Sequence, residues 1–246
     1  MSEKHIFKPG VIPVEVVTEA KKPPVTSWSI SKLTKFETCP YSVYLGDVMK
    51  VPDSGDLSKA ERGTLIHTMA ENYVKGEDAE LSASLKKFER DFKTLREQFE
   101  ESKVSVEGEW GFNRDWEPTS WFDKETWGRA KLDAFITYDP NCGKVIDHKT
   151  GKKYGNEIKH NFQGTVYAIA AFMRYPELQY IETEFWYLDH GVKLENSYTR
   201  DQAMVLLPRV TARAEKLTNC IEFKPRPSPM NCRFCNKKEG CDWRAD

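Results

Sequence analysis

The chain has 246 residues, enough for one sizeable domain with at most a small appendage. Its 37 Lys and Arg against 38 Asp and Glu leave a net charge of −1, which excludes a general positive field and confines any nucleic-acid contact to a local basic patch. No apolar run approaches the ~20 residues that a bilayer span requires, and the N-terminus MSEKHIFKPG reads as neither a signal nor a transit peptide, so a cytoplasmic protein with no membrane contact is expected.

Residues 1–26, with Pro9, Pro13, Pro23 and Pro24 among scattered charges, read as a flexible extended arm. Ser29 or Ser31 is placed to cap a short helix carrying Ile30, Leu33 and Phe36 on one face. Pro40 opens a second short helix at its favoured first position. Residues 51–56 form a turn, and 57–75 are helical with Gly76 as the stop. A charge-rich helix is expected over 79–101, with Leu81, Leu85, Phe88, Phe92, Leu95 and Phe99 near helical spacing. The period then changes to two, giving strands over 104–113, 127–139 and 144–149. An Ala-rich helix covers 156–174, a hairpin 181–198, and a last long helix 200–221. KPRPSP (224–229) is a stiff linker to a tail too short and polar to fold alone. This order predicts an α/β (α+β) fold with a mixed sheet flanked by helices, organised as an arm (1–26), a folded domain (27–223) and a C-terminal segment (224–246).

Two carboxylates stand out. Asp133 in WGRAKLDAF and Asp147 in KVIDHK lie on neighbouring expected strands, each flanked by apolar residues. Buried unpaired carboxylates repel. A divalent cation between them removes the repulsion, and hard oxygen ligands suit Mg²⁺ or Mn²⁺. Asp147 and Lys149 are two apart and share a strand face. Lys149 is therefore a candidate to position or deprotonate a water against a phosphate. His148 then points to the other face, which leaves its backbone carbonyl for the metal. An isolated D-x-K is more often an ordinary ion pair. Gly63, His67 and Glu71 recur every four residues on one helical face, so His67 is a candidate nitrogen ligand; Glu109, on the first strand, is a further candidate. Gln163 and Tyr167, one turn apart, form a polar pair suited to a phosphate backbone. Arg129, Lys131, Lys152 and Lys153 are the candidate local basic patch. Trp28, Tyr41 and Tyr44 are candidates for base stacking, with core packing the plainer alternative.

The chain has six cysteines. In a cytoplasmic protein these point to metal ligands or core residues before disulfides. Cys232, Cys235 and Cys241 form C-x₂-C-x₅-C after the Pro-rich linker, and three clustered thiols there are most simply metal ligands. Cys39 lies far upstream, just before Pro40; Cys142 and Cys220 match no ligand spacing. Zinc and an iron–sulfur cluster both accept four thiolates, so both remain open.

Taken in order, Gly63-x-x-x-His67, Asp133, Asp147-x-Lys149 and Gln163-x-x-x-Tyr167 resemble the PD-(D/E)XK nuclease superfamily, its RecB-like branch in particular. SISKLTKFETCPYSVYL resembles the Ser-rich opening helix of that branch, and the resemblance covers about residues 27–243. One departure is Asp147 where many relatives carry Glu. One upstream and three downstream cysteines resemble the AddB C-terminal nuclease domain and the CRISPR-associated iron–sulfur exonucleases. That implies a [4Fe–4S] cluster on Cys39, Cys232, Cys235 and Cys241 that joins the two ends of a restriction-endonuclease-like core, with Zn²⁺ as the alternative. The resemblance also implies a Mg²⁺- or Mn²⁺-dependent DNA exonuclease acting on single-stranded ends with 5′→3′ polarity. Its setting would be recombination, repair or replication in a bacterial or phage-infected cell, with partner proteins of such pathways. The alternative is an inactive DNA-binding or scaffold module of a recombination or CRISPR adaptation complex. No G-x-x-x-x-G-K-[ST] occurs, which argues against a helicase.

Overall fold

A computed structural model describes residues 21–151 and 153–245. Strand β1 (Trp28–Ser29) leads into α1 (Ile30–Thr38), and the Ser29 hydroxyl accepts the Lys32 N–H as the cap. Pro40 is the first residue of α2 (Pro40–Val43), which runs on into a wider turn over Tyr44–Val48. Helix α3 (Ser58–Lys75) ends where Gly76 takes the left-handed conformation, φ 81°.

The single helix expected over 79–101 is instead two pieces, a 3₁₀ segment (Ala83–Phe88) and α4 (Glu89–Glu100). The tighter 3₁₀ turn aligns residues three apart, so Leu85 and Phe88 reach the core on the same side. The strands follow as β2 (Val104–Phe112), β3 (Pro118–Thr119), β4 (Gly128–Asp139) and β5 (Cys142–Lys149). Cys142 opens β5 opposite Asp139. Helix α5 (Glu157–Arg174) joins β5 to β6 (Tyr180–Tyr187), which pairs with β7 (Val192–Thr199). Helix α6 (Arg200–Thr218) begins at a capping box on Thr199 and Gln202 and ends three residues earlier than expected. A short α7 (Pro229–Arg233) and a 3₁₀ turn (Lys238–Gly240) complete the tail. β1 and β3 are two residues each, too short to leave a periodic signal.

The seven strands form one mixed sheet, β3-β2-β4-β5-β6-β7, with β1 parallel to β4 off that path. β5 and β6 are parallel, as a helical crossover requires, and β2, β4 and β5 are antiparallel neighbours. One face carries Leu132, Val145, Ile181 and Phe185 against α1, α5 and α6. The other carries Ala134, Ile136, Ile146 and Trp186 against α3 and α4. Trp28 is buried in the first core, edge-on to Trp116 and Trp127, and Tyr44 packs on Phe223, so both serve packing. Val25 is buried there too, inside the stretch expected to be an arm; residues 1–20 lie outside the described residues. Among the described residues no helix is long and apolar enough to cross a membrane.

The C-terminal segment lies on the N-terminal helices. Asn236 O accepts the Ser54 N–H at 2.7 Å, Lys237 Nζ reaches Val51 O at 2.6 Å and Asp53 at 2.5 Å, and Arg226 Nη1 reaches Glu37 O at 2.9 Å.

Candidate active site

The β4–β5 ladder runs from Asp139 and Cys142 to Ala134 and Ile146. Asp133 and Asp147 sit one residue past that last pair. There the Asp133 carboxylate takes over a backbone role: its Oδ2 accepts the His148 N–H at 2.5 Å. Both acids are thus fixed by strand register, which is why sequence alternation could find them.

Asp147 faces α5. Lys149 Nζ lies 2.5 Å from its Oδ2, and Gln163 Nε2 donates to its Oδ1 at 2.9 Å. The Tyr167 hydroxyl is 2.7 Å from the same Oδ1 and 2.8 Å from the Lys131 carbonyl, and shares its one proton between them. Lys149 Nζ also donates to Gln163 Oε1 at 3.1 Å. Gln163 and Tyr167 therefore clamp the acid and the lysine. Tyr167 is 2 % exposed, and its hydroxyl is used up inside the protein before any strand could reach it.

Asp133 faces α3. His67 Nδ1 is 2.7 Å from Asp133 Oδ1. The His148 imidazole is on the face opposite Asp147, as alternation requires, but it does not leave the site. That face is the one α3 covers, and it brings His148 Nδ1 to 3.8 Å from Asp133 Oδ2. His67, Asp133 and His148 each offer a ligand atom within 4.8 Å of the other two, the one such metal-ligand group among the described residues. Asp147 and Glu109 stand outside that group. Glu109 is 3.9 Å from Lys131, whose nearer partner is Glu107 at 2.7 Å. Gly63 is where α3 crosses the turn after β5: a Cβ there would stand 3.3 Å from Thr150 Oγ1. Asp189 ties the same place together by a bidentate bond to Arg62 and by accepting the Gly151 N–H at 2.8 Å.

Burial pushes the Asp133 carboxyl up, but the hydrogen bond and charge of His67 and the backbone N–H of residue 148 together hold it below the usual range. Asp147 goes the other way: burial and the Asp133 charge outweigh Lys149 and raise it. For His67, burial is outweighed by the hydrogen bond and charge of Asp133, so its imidazolium is favoured. Burial lowers His148 to about 4, leaving it neutral at ordinary pH. Two acids pushed apart in this way are a mark of functional sites.

Beside the acids runs a groove of about 510 Å³ lined by Arg129, Lys131, Lys149 and Lys159. Arg129 is held by the Trp121 carbonyl and the Ser27 hydroxyl and lies over the Trp121 ring. Lys159 was not anticipated, yet the signal was present, because it is one helical turn before Gln163 on the same face. Lys153 is in the turn after β5, and Lys152 lies outside the described residues. A separate cleft on the α4 side is lined by Lys144 and Lys193, both ion-paired to Glu184, and by Glu182, which pairs with Lys144.

Cys39, Cys232, Cys235 and Cys241 line one small cavity between α1–α2 and the tail. The Arg226 N–H points at Cys39 Sγ and the Ala245 N–H at Cys232 Sγ, each at 3.3 Å. Burial, and then the nearby Cys235, Cys39 and Cys232, push the Cys241 thiol up. Cys142 and Cys220 lie elsewhere.

The molecule is an α/β protein, a mixed sheet with helices on both faces, in which paired acids and a lysine stand beside a cationic groove. The chain belongs to the PD-(D/E)XK nuclease superfamily, which residues 27–242 match. Among solved structures, it is similar to the protein SSO0001, with a TM-score of 0.50 and 17 % identity over 90 % of this chain and 88 % of that one. An alkaline exonuclease from Laribacter hongkongensis (LHK-Exo) shows a weaker likeness, TM-score 0.31 and 12 % identity over 79 % and 89 %. No curated protein matches.

Proposed function

We propose that the protein is a metal-dependent deoxyribonuclease that digests DNA from an end, single-stranded ends in the 5′→3′ direction being the preferred substrate. The observation that carries this reading is the Asp147–Lys149–Gln163–Tyr167 network on the wall of a cation-lined groove, with the Asp133–His67 pair beside it. The donor set fits a divalent ion: Asp133, Asp147, His67 and the backbone carbonyl of His148 would hold Mg²⁺ or Mn²⁺, and the ion would supply charge neutralisation at the phosphate. Lys149 holds the attacking water by hydrogen bonding and stabilises the negative charge that grows on the phosphate oxygens. Gln163 and Tyr167 keep Asp147 and Lys149 in register, and Arg129 and Lys159 hold the strand along the groove. Recombination, repair or replication are the settings for such an activity.

Lys149→Ala is expected to bind DNA with little change and to cut about 10²–10³-fold more slowly. Undiminished cleavage in Mn²⁺ would reject the assignment. Strands labelled at either end, with one terminus blocked, read polarity in the same assay; release of label first from 5′ ends of single strands is expected.

The four cysteines are proposed to hold a [4Fe–4S] cluster. Thiolates gathered at one cavity repel, and a metal group relieves that. A zinc tetrahedron with Zn–S near ~2.3 Å needs sulfurs about 3.8 Å apart. The pattern of one upstream and three downstream cysteines, brought to one cavity, is what favours the larger cluster over that site.

A further inference from the structure

We propose that the His148 imidazole is itself a ligand of the metal centre, adding a second imidazole to the carboxylates and His67 so that the site favours Mn²⁺ and later first-row ions over Mg²⁺. The inference rests on the reading above that Asp133 and His67 hold a metal.

His148 is 4 % exposed, and neither of its ring nitrogens has a hydrogen-bond partner. Buried polar groups in native proteins are nearly always satisfied, and each exception calls for a reason. Phe92 and Trp186 pack on this ring at 5.2 and 5.5 Å between centroids, so an apolar side chain would suit the pocket's walls. The polar group within reach is Asp133, with Oδ2 3.8 Å from His148 Nδ1. That separation is too long for a hydrogen bond. It does suit two atoms that share an ion, since donors each ~2.1 Å from a common metal stand about 3–4 Å apart. His67 takes the other carboxylate oxygen at 2.7 Å. Asp133 thus has one imidazole at each oxygen, and all three donor atoms lie within 4.8 Å of one another. Mg²⁺ prefers oxygen, whereas imidazole suits Mn²⁺ less than the later ions but far better than it suits Mg²⁺. The second imidazole therefore sets metal preference and leaves the attacking groups unchanged.

The rival arrangement is a positioning role, in which His148 donates to Asp133 and never touches the metal. Pulsed EPR of Mn²⁺ bound to the full chain labelled with ¹⁵N-histidine separates the two. Two histidine nitrogens coupled to Mn²⁺ are expected in the wild type, and one in His148→Phe, whose Mn²⁺ affinity should fall by about a hundredfold while that for Mg²⁺ changes little. A single nitrogen in the wild type overturns the inference, and that measurement needs no variant to fold. A wild type that cuts DNA with one nitrogen on Mn²⁺ removes His148 alone. One that holds two nitrogens and leaves DNA intact removes the nuclease reading and keeps the ligand.

Discussion

His160 shows how a single buried residue sets the behaviour of the whole chain with pH. It lies on α5, stacked on Phe185, with Nδ1 2.5 Å from the Tyr187 hydroxyl. Burial, and then the charges of Lys149 and Lys159, lower it to about 4. Between 6.5 and about 4 the unfolded imidazole takes a proton that the folded one refuses, so stability rises with pH across that window and is lost as pH falls. The full effect is up to about 3 kcal/mol. His148 is lowered in the same direction, so urea unfolding of metal-free His160→Phe should show a shallower rise of stability with pH between 6.5 and 4 than the wild type, without abolishing it. An unchanged slope would show that His160 takes up its proton as readily in the folded protein as in the unfolded chain. Composition gave no hint of this, because a histidine's environment comes from the elements packed on it. The residues that share a face along one element, Asp147 with Lys149 and Gln163 with Tyr167, were legible from spacing alone. What those pairs touch was not: Tyr167, expected against a phosphate, is turned onto Asp147.

Among the elements, α5 matters most, since it carries Gln163 and Tyr167 to the acid and the lysine. Its approach to β6 depends on Gly164, where a Cβ would meet Thr183 Oγ1 at 2.8 Å, closer than real Cβ contacts come. Thr183 is buried and cannot swing aside, so Gly164→Ala must lift the helix. The expected loss is about 1–3 kcal/mol in chemical denaturation. Cleavage should slow by up to about a hundredfold, because Gln163 moves with the backbone. Normal cleavage in a destabilised Gly164→Ala protein would show that the Asp147 network does not need helix placement at this precision. Most elements were readable from their periods and caps. The exceptions were the two-residue strands and the 3₁₀ segment before α4, where the tertiary core, acting through Leu85 and Phe88, overrides a continuous helical pattern.

At the scale of the whole molecule, the tail closes a loop that runs through the entire sheet. Contacts such as Ser54–Asn236 and Lys237–Asp53 hold it, and the proposed cluster would fasten it at Cys39. The purified protein is expected to be brown, with broad absorbance near about 400 nm. Cys39→Ser should lose that colour, melt at lower temperature and be cut by protease within residues 224–229, because a metal clip stabilises most where it closes a long loop. A colourless wild type with one zinc per chain would replace the cluster by zinc. The amino-acid sequence by itself determined the mixed α/β class, most of the order of the elements and the placement of Asp133, Asp147 and Lys149 on their strands, because strand and helix periods decide which side chains share a face; the family was legible from the ordered motifs. Only the tertiary structure decided which faces meet. It set His67 and His148 on either side of Asp133, turned Gln163 and Tyr167 inward, added Lys159 to the groove and brought the distant Cys39 to the three tail thiols at one cavity. Those outcomes depend on packing between elements far apart in the chain, on which local periodicity carries no information.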